Sequence, residues 1–177
     1  MTCIVGLVSK GKVYMGGDSA GASGWLVRAV QSPKVFKVGA FIIGYTTSFR
    51  MGEILQYHLD VEPQKEEQAD HEYMVCHFAE AVRKALKEHG FAKVENNVEE
   101  GGDFLVGYRG HLYSVNDDFQ MTEHVENYDA CGCGQEFALG AIKALEDWAP
   151  EERIRRALEI AAYFSGGVLP PFHIVGG

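Results

Sequence analysis

Hydrophobic periodicity changes along this chain in an order that few folds can accommodate. Residues 2–9 are β-branched and apolar, Lys10-Gly11-Lys12 is turn chemistry, and residues 13–18 return, so a hairpin opens the chain. A small, polar stretch over residues 19–33, with Gly21 and Gly24, separates it from two further strands at 34–38 and 40–45 around Gly39. From Phe49 the period becomes helical: Met51, Ile54, Leu55 and Leu59 share one face of a helix ending near His58. Residues 60–70 carry five acidic side chains and Pro63, which suits an exposed connector. A second helix over 71–89 places Met74, Val75, Phe78, Val82 and Leu86 in its buried stripe, with Gly90 as the stop. Residues 93–102 read as a polar loop, 104–108 and 112–116 as a hairpin about Arg109-Gly110, and 119–125 as a strand. After Cys131-Gly132-Cys133-Gly134 comes a helix with Phe137, Ile142 and Leu145 inward. Pro150 opens another through Phe164, and residues 172–175 close as a short strand.

Runs of strands alternating with pairs of helices predict an α+β layering of two sheets with helices outside, rather than a βαβ repeat. The 177 residues fit one domain, 1–177, which buries about 70% of the surface its unfolded chain exposes. No apolar run reaches the roughly 20 residues of a membrane helix, and Lys10 follows too soon for a signal peptide, so a soluble protein without a membrane partner is expected. Four cysteines are too few for a disulfide scaffold in a chain this long; free thiols and a cytoplasmic location follow. With 16 basic against 25 acidic residues, a net charge of −9, and no basic stripe, nucleic-acid binding is excluded. Cys131 and Cys133 lack a second ligand pair and the seven histidines are scattered, so no metal and no cofactor is expected.

The chemistry concentrates near the start. Removal of Met1 by an aminopeptidase, which favours a small second residue, exposes Thr2. A free α-amine beside a β-hydroxyl is a nucleophile with its own base, because such an amine titrates near about pH 8. A Met-Thr start is common and alone says little. Asp18 ends the second strand, so the hairpin returns it beside Thr2. Lys34 follows in Ser32-Pro33-Lys34-Val35. A lysine there disfavours the protonated amine by like-charge repulsion and stabilises an alkoxide, while the aspartate holds the lysine oriented. Lys34 is expected to be exposed or to line a cavity, so that Lys34→Ala leaves folding nearly intact.

Thr2, Gly17-Asp18-Ser19 and Lys34, at this spacing, resemble the proteasome β-subunit-like family of N-terminal-nucleophile hydrolases, including HslV and smaller bacterial homologues. Ile43-Gly44-Tyr45-Thr46-Thr47 resembles the strand and turn that line the family's site. Ala130-Cys131-Gly132-Cys133-Gly134 resembles its Gly-Ser-Gly turn before a helix, and Ser165-Gly166-Gly167 its late Ser-Gly-Gly. The resemblance implies a four-layer αββα sandwich and a threonine peptidase acting on peptides or unfolded proteins. It also implies a homo-oligomeric ring, fed by an ATP-dependent unfoldase. It assigns Thr2 as nucleophile, Asp18 and Lys34 as its activators, and the Thr47 N–H, in place of the usual glycine, as oxyanion donor. Cys133 stands where the family has a serine near the amine, and Ala162 where many members carry an aspartate. The alternatives are a small-amide hydrolase of the same fold and a catalytically inactive ring or scaffold subunit.

Overall fold

The computed structural model describes residues 1–95 and 98–176. Six strands come first: β1 (Cys3–Ser9), β2 (Lys12–Gly17), β3 (Ala20–Ser23), β4 (Leu26–Ala29), β5 (Val35–Val38) and β6 (Phe41–Tyr45). Helix α1 (Phe49–Tyr57) follows, then α2 (Asp70–Tyr73), a π-helical turn (Met74–Phe78) and α3 (Ala79–Glu88). Strands β7 (Lys93–Glu95), β8 (Val98–Glu100), β9 (Phe104–Tyr108), β10 (His111–Val115), β11 (Met121–Glu123) and β12 (Tyr128–Gly132) lead to α4 (Gln135–Ala144), α5 (Pro150–Phe164) and β13 (His173–Gly176).

Two antiparallel sheets carry the molecule, one ordered β12-β1-β2-β13 and the other β11-β10-β9-β6-β5. Period-2 alternation in β1 sends Cys3, Val5 and Leu7 toward α4 and α5, while Ile4 joins Val13, Met15, Ile42, Leu105 and Leu112 in a separate buried cluster drawn from both sheets. A third cluster joins Ile43, Phe104 and Val106 to Met51, Ile54 and Leu55 of α1 and to Phe78, Val82 and Leu86. Each such fully buried side chain contributes about 1.5–3 kcal/mol of transfer free energy. Helix α1 starts where Ser48 accepts from the Arg50 N–H at 3.1 Å, and α5 where Pro150 sits in the first turn beside Glu151 and Glu152.

The α+β class holds, and so do the two pairs of helices. Several local expectations do not. Residues 19–33 contain the hairpin β3–β4, whose Ala-Gly-Ala-Ser strand has no apolar run to announce it. The expected loop over 93–102 is a β7–β8 hairpin, with Asn96 and Asn97 outside the described residues. Strand β12 was hidden because Asp129 interrupts its apolar pattern, and the strand expected over 119–125 is confined to Met121–Glu123. The π turn adds a residue to one helical repeat. Met74, Phe78, Val82 and Leu86 stay inward, but Val75 turns out to solvent. Phe137 is also exposed, stacked on Phe164 with ring centroids 5.2 Å apart, while Ala138, Ala141 and Ile142 face the core. Among the described residues no helix is long and apolar enough to cross a membrane.

Candidate active site

The β1–β2 register pairs Ile4 with Gly17, so the next residue of β2's chain, Asp18, faces the start of β1. The pairing is made by the backbone and the side chain together: the Asp18 N–H donates to the Cys3 carbonyl at 3.2 Å and Asp18 Oδ1 accepts from the Cys3 N–H at 3.0 Å. The carboxylate is fully buried and accepts three more donors, the Ala20 N–H at 2.7 Å, the Leu169 N–H at 3.2 Å and Lys34 Nζ at 2.9 Å. Four donors onto one carboxylate compensate its removal from water.

Lys34 enters from the residue before β5, where its carbonyl accepts from the Tyr45 N–H at 3.0 Å. Its Nζ lies 2.9 Å from Asp18 Oδ1 and 2.9 Å from Thr2 Oγ1, with the Phe49 ring centroid 5.8 Å away. The side chain is 1% exposed. Of the two expectations for this lysine, exposed or lining a cavity, the structure overturns the first and keeps the second: Lys34 borders the cleft beside Thr2 but is buried in an ion pair with Asp18, with the Phe49 ring close to its Nζ. Thr2 is itself 6% exposed; its Oγ1 accepts from Lys34 and donates to the Met1 carbonyl.

The other two expected residues flank Thr2. Gly132 pairs with Cys3 at φ +96°, and a Cβ there would stand 2.3 Å from the Thr2 carbonyl oxygen, so only glycine lets β12 come this close. That approach brings the next residue, Cys133, to Thr2, whose N–H points at Cys133 Sγ from 3.4 Å; Ser165 Oγ lies 3.5 Å from the same sulfur. Burial, reinforced by Asp18, pushes the neighbouring Cys3 thiol up, so Cys3 stays protonated and inert while Cys133 is exposed. Ala162, the residue in place of an aspartate, packs in the outer core.

Thr47 sits at φ +60°, a conformation costing a non-glycine residue about 1–2 kcal/mol. It is held by its side chain: Oγ1 accepts from the Asp103 N–H at 3.2 Å, while Thr46 Oγ1 donates to the Asp103 carbonyl at 2.7 Å. The Thr47 N–H donates to no acceptor among the described residues. Thr2, Lys34, Thr47, Ala20, Ala22 and Phe49 line one cleft of about 320 Å³. Of the five residues singled out in the sequence, Thr2, Lys34 and Thr47 line this cleft, while Asp18 reaches it through Lys34 and Cys133 through the Thr2 N–H. What the sequence did not reveal are the Leu169 and Ala20 N–H groups on Asp18 and the Phe49 cover; backbone donors carry no sequence signal, and Phe49 read only as a helix start. No group of three or more metal-ligating side chains occurs among the described residues.

No protein-family model and no curated protein matches the chain. Solved structures do. BPH of Thiobacillus denitrificans, solved in complex with epoxomicin, superposes with a TM-score of 0.82 at 21% identity, over 99% of this chain and 98% of that one. Eukaryotic HslV from Trypanosoma brucei gives 0.71 at 18% identity over 99% and 98%. Anbu, an ancestral β-subunit from Yersinia bercovieri, gives 0.69 at 12% identity over 99% and 81%. The resemblance read from the residues is met in three dimensions: this chain has the fold of the HslV- and proteasome-like proteins.

Proposed function

We propose that the chain is a threonine endopeptidase whose nucleophile is Thr2 after Met1 is removed. The observation that carries this reading is Lys34 Nζ, 2.9 Å from both Thr2 Oγ1 and the buried Asp18 carboxylate. A surface lysine would be free to leave; this one is locked against the hydroxyl. In the mechanism, the freed Thr2 amine takes the hydroxyl proton and Oγ1 attacks the peptide carbonyl carbon. The Thr47 N–H, which has no acceptor among the described residues, donates to the oxyanion, and its strained φ sets its direction. The amine returns the proton to the leaving nitrogen, leaving an ester on Thr2. Water, deprotonated by the same amine, then hydrolyses that ester. Lys34 supplies positive charge beside the alkoxide, Asp18 holds Lys34, and Cys133 orients the amine.

The three buried clusters, one between the sheets and one under each helix pair, support a four-layer αββα sandwich formed by residues 1–177 as one domain. The fold further supports a homo-oligomeric ring in the cytoplasm that takes peptide or unfolded-protein substrates, with an ATP-dependent unfoldase as a partner. The second reading is an inactive ring subunit: a chain that keeps Met1 has an amide at the Thr2 nitrogen and a hydroxyl bonded to the Met1 carbonyl, and so lacks the base.

Intact-mass measurement and an epoxyketone separate the two. Protein shown to begin at Thr2 should form a cyclic adduct joining both amine and hydroxyl, which no internal serine or cysteine can form. Thr2→Ala should lose the adduct and all peptide hydrolysis, and Thr2→Ser should keep some of each. Protein beginning at Thr2 that takes up no epoxyketone and cleaves none of a broad peptide panel is the scaffold, not the peptidase.

A further inference from the structure

The sheet ends remote from Thr2 hold a second cavity, of about 330 Å³. Strand β1 runs from Cys3 to Ser9, and at about 3.3 Å per residue it puts this cavity roughly 20 Å from the threonine. Three hairpin turns meet there, at Lys10-Gly11, Gly39 and Arg109-Gly110. Lys10, Gly11, Arg109 and Gly110 all have positive φ, at 50°, 71°, 47° and 82°, the signature of primed turns. A Cβ on Gly110 would stand 2.6 Å from the Gly11 carbonyl, so the β1–β2 and β9–β10 turns touch backbone to backbone. That contact sets their flanking side chains around one opening.

Those side chains are cationic. Lys12, Lys37 and Arg109 line the cavity, over a floor of Val13, Phe41 and Ile42. Arg109 Nη1 reaches Asp70 only at 3.5 Å, while the same Asp70 oxygen already accepts Gln64 Nε2 at 2.8 Å. Lys37 Nζ donates to the Gly176 carbonyl at 3.0 Å, and among the described residues neither Lys12 nor Lys37 pairs with a carboxylate. In a chain of net charge −9, where carboxylates outnumber cations, a concavity that brings together, among the described residues, three cations and one shared carboxylate runs against the overall field.

We propose that this cavity docks an acidic, extended peptide segment of a partner protein. The three cations come from three separate elements around an apolar floor. That arrangement suits carboxylates spaced along a peptide with an apolar side chain between them, rather than one phosphate held at a point. The site does not depend on the peptidase reading, because it lies at the other end of the sheets from Thr2.

Fluorescence anisotropy of a fluorescein-labelled peptide, with glutamates on both sides of one phenylalanine, tests it. The full chain should bind saturably at low salt and more weakly as salt is added. Lys12→Glu/Lys37→Glu/Arg109→Glu should weaken binding by about tenfold or more; Lys12→Glu/Lys37→Glu serves if the triple variant fails to fold, as read by circular dichroism. Lys84→Glu/Lys143→Glu/Arg155→Glu makes the same change of net charge on exposed positions elsewhere and should bind as wild type. The proposal is overturned if the wild type shows no saturable binding, if the cavity variants bind as wild type, or if the Lys84→Glu/Lys143→Glu/Arg155→Glu control loses binding as much as they do. Inorganic phosphate or phosphoserine displacing the probe at lower concentration than unlabelled peptide would assign the cavity to phosphate instead, and equally overturns it. Hydrolysis of peptides at Thr2, where present, should be unchanged in all of these variants.

Discussion

Lys34→Ala should unfold the protein more easily and, under the peptidase reading, stop turnover as well. The Lys34–Asp18 pair is 2.9 Å long with side chains 1% and 0% exposed. Removing one partner of a buried pair costs about 3–5 kcal/mol, because the other charge is left without water or counter-ion. Here Asp18 keeps three backbone N–H donors, from Cys3, Ala20 and Leu169, each of which offsets part of that penalty. The expected loss is therefore about 2–4 kcal/mol, which in a chain of this length lowers the melting temperature by roughly 4–16 °C. Asp18→Asn removes the stranded charge, so the double variant should be less destabilised than the sum of the singles by at least about 1.5 kcal/mol. Urea unfolding followed by circular dichroism measures all four corners of the cycle. A Lys34→Ala protein within about 0.5 kcal/mol of wild type, or strictly additive singles, would refute the buried-pair reasoning. The lysine would then be acting only on the nucleophile.

Gly132→Ala should cost about 2–4 kcal/mol, from the left-handed backbone and from a Cβ only 2.3 Å from the Thr2 carbonyl. Gly24→Ala, at φ +59° in open space, should cost only the backbone part, so equal urea midpoints for the two would refute the close approach. Burial holds the Cys3 and Cys131 thiols above their ordinary value of 9.0, whereas Cys76 and Cys133 are exposed. A disulfide exchange reagent at about pH 8 should therefore titrate Cys76 and Cys133 in the native protein and the other two only after unfolding. The same shift has a sign in stability. The folded state keeps protons that the unfolded state releases, so what these two thiols contribute to stability is constant below about pH 9 and is lost as pH rises from there through the folded values. A flat alkaline unfolding profile would contradict it.

The site was more legible than the sheets that build it, for a physical reason. Strand geometry returns Asp18 to the N-terminus once the β1–β2 hairpin is recognised, whereas Lys34, which precedes β5 in the other sheet, was placed there by the spacing it shares with the family it resembles. Their burial was not legible: a lysine after Ser32-Pro33 reads as surface, and only the fold brings Phe49, Thr2 and Asp18 over it. The β3–β4 hairpin and β12 were missed because β3 and β12 hold mostly small or polar residues, whose place in a sheet comes from pairing rather than from an apolar face. The phase error at Val75 has a different origin: a π turn adds a residue to the repeat, and no composition signals it.

Chemistry and folding meet at one peptide bond. Half of the proposed machinery is in place while Met1 is attached, since Asp18, Lys34 and the Thr2 hydroxyl are already within 3.0 Å of one another along the chain of hydrogen bonds. The donors that hold Asp18 are backbone groups of the fold and do not depend on Met1. Met1 occupies two things the reaction needs: its carbonyl accepts the Thr2 hydroxyl, and its bond makes the Thr2 nitrogen an amide with no proton-accepting lone pair. The turn at Gly167 borders the same space, since a Cβ there would lie 2.8 Å from the Met1 side chain. Under the peptidase reading, loss of Met1 thus frees the hydroxyl, creates the base beside Cys133 and opens the cleft in a single step. No movement of Lys34 or Asp18 is required, so the electrostatic part of the site is preorganised and only the base is conditional.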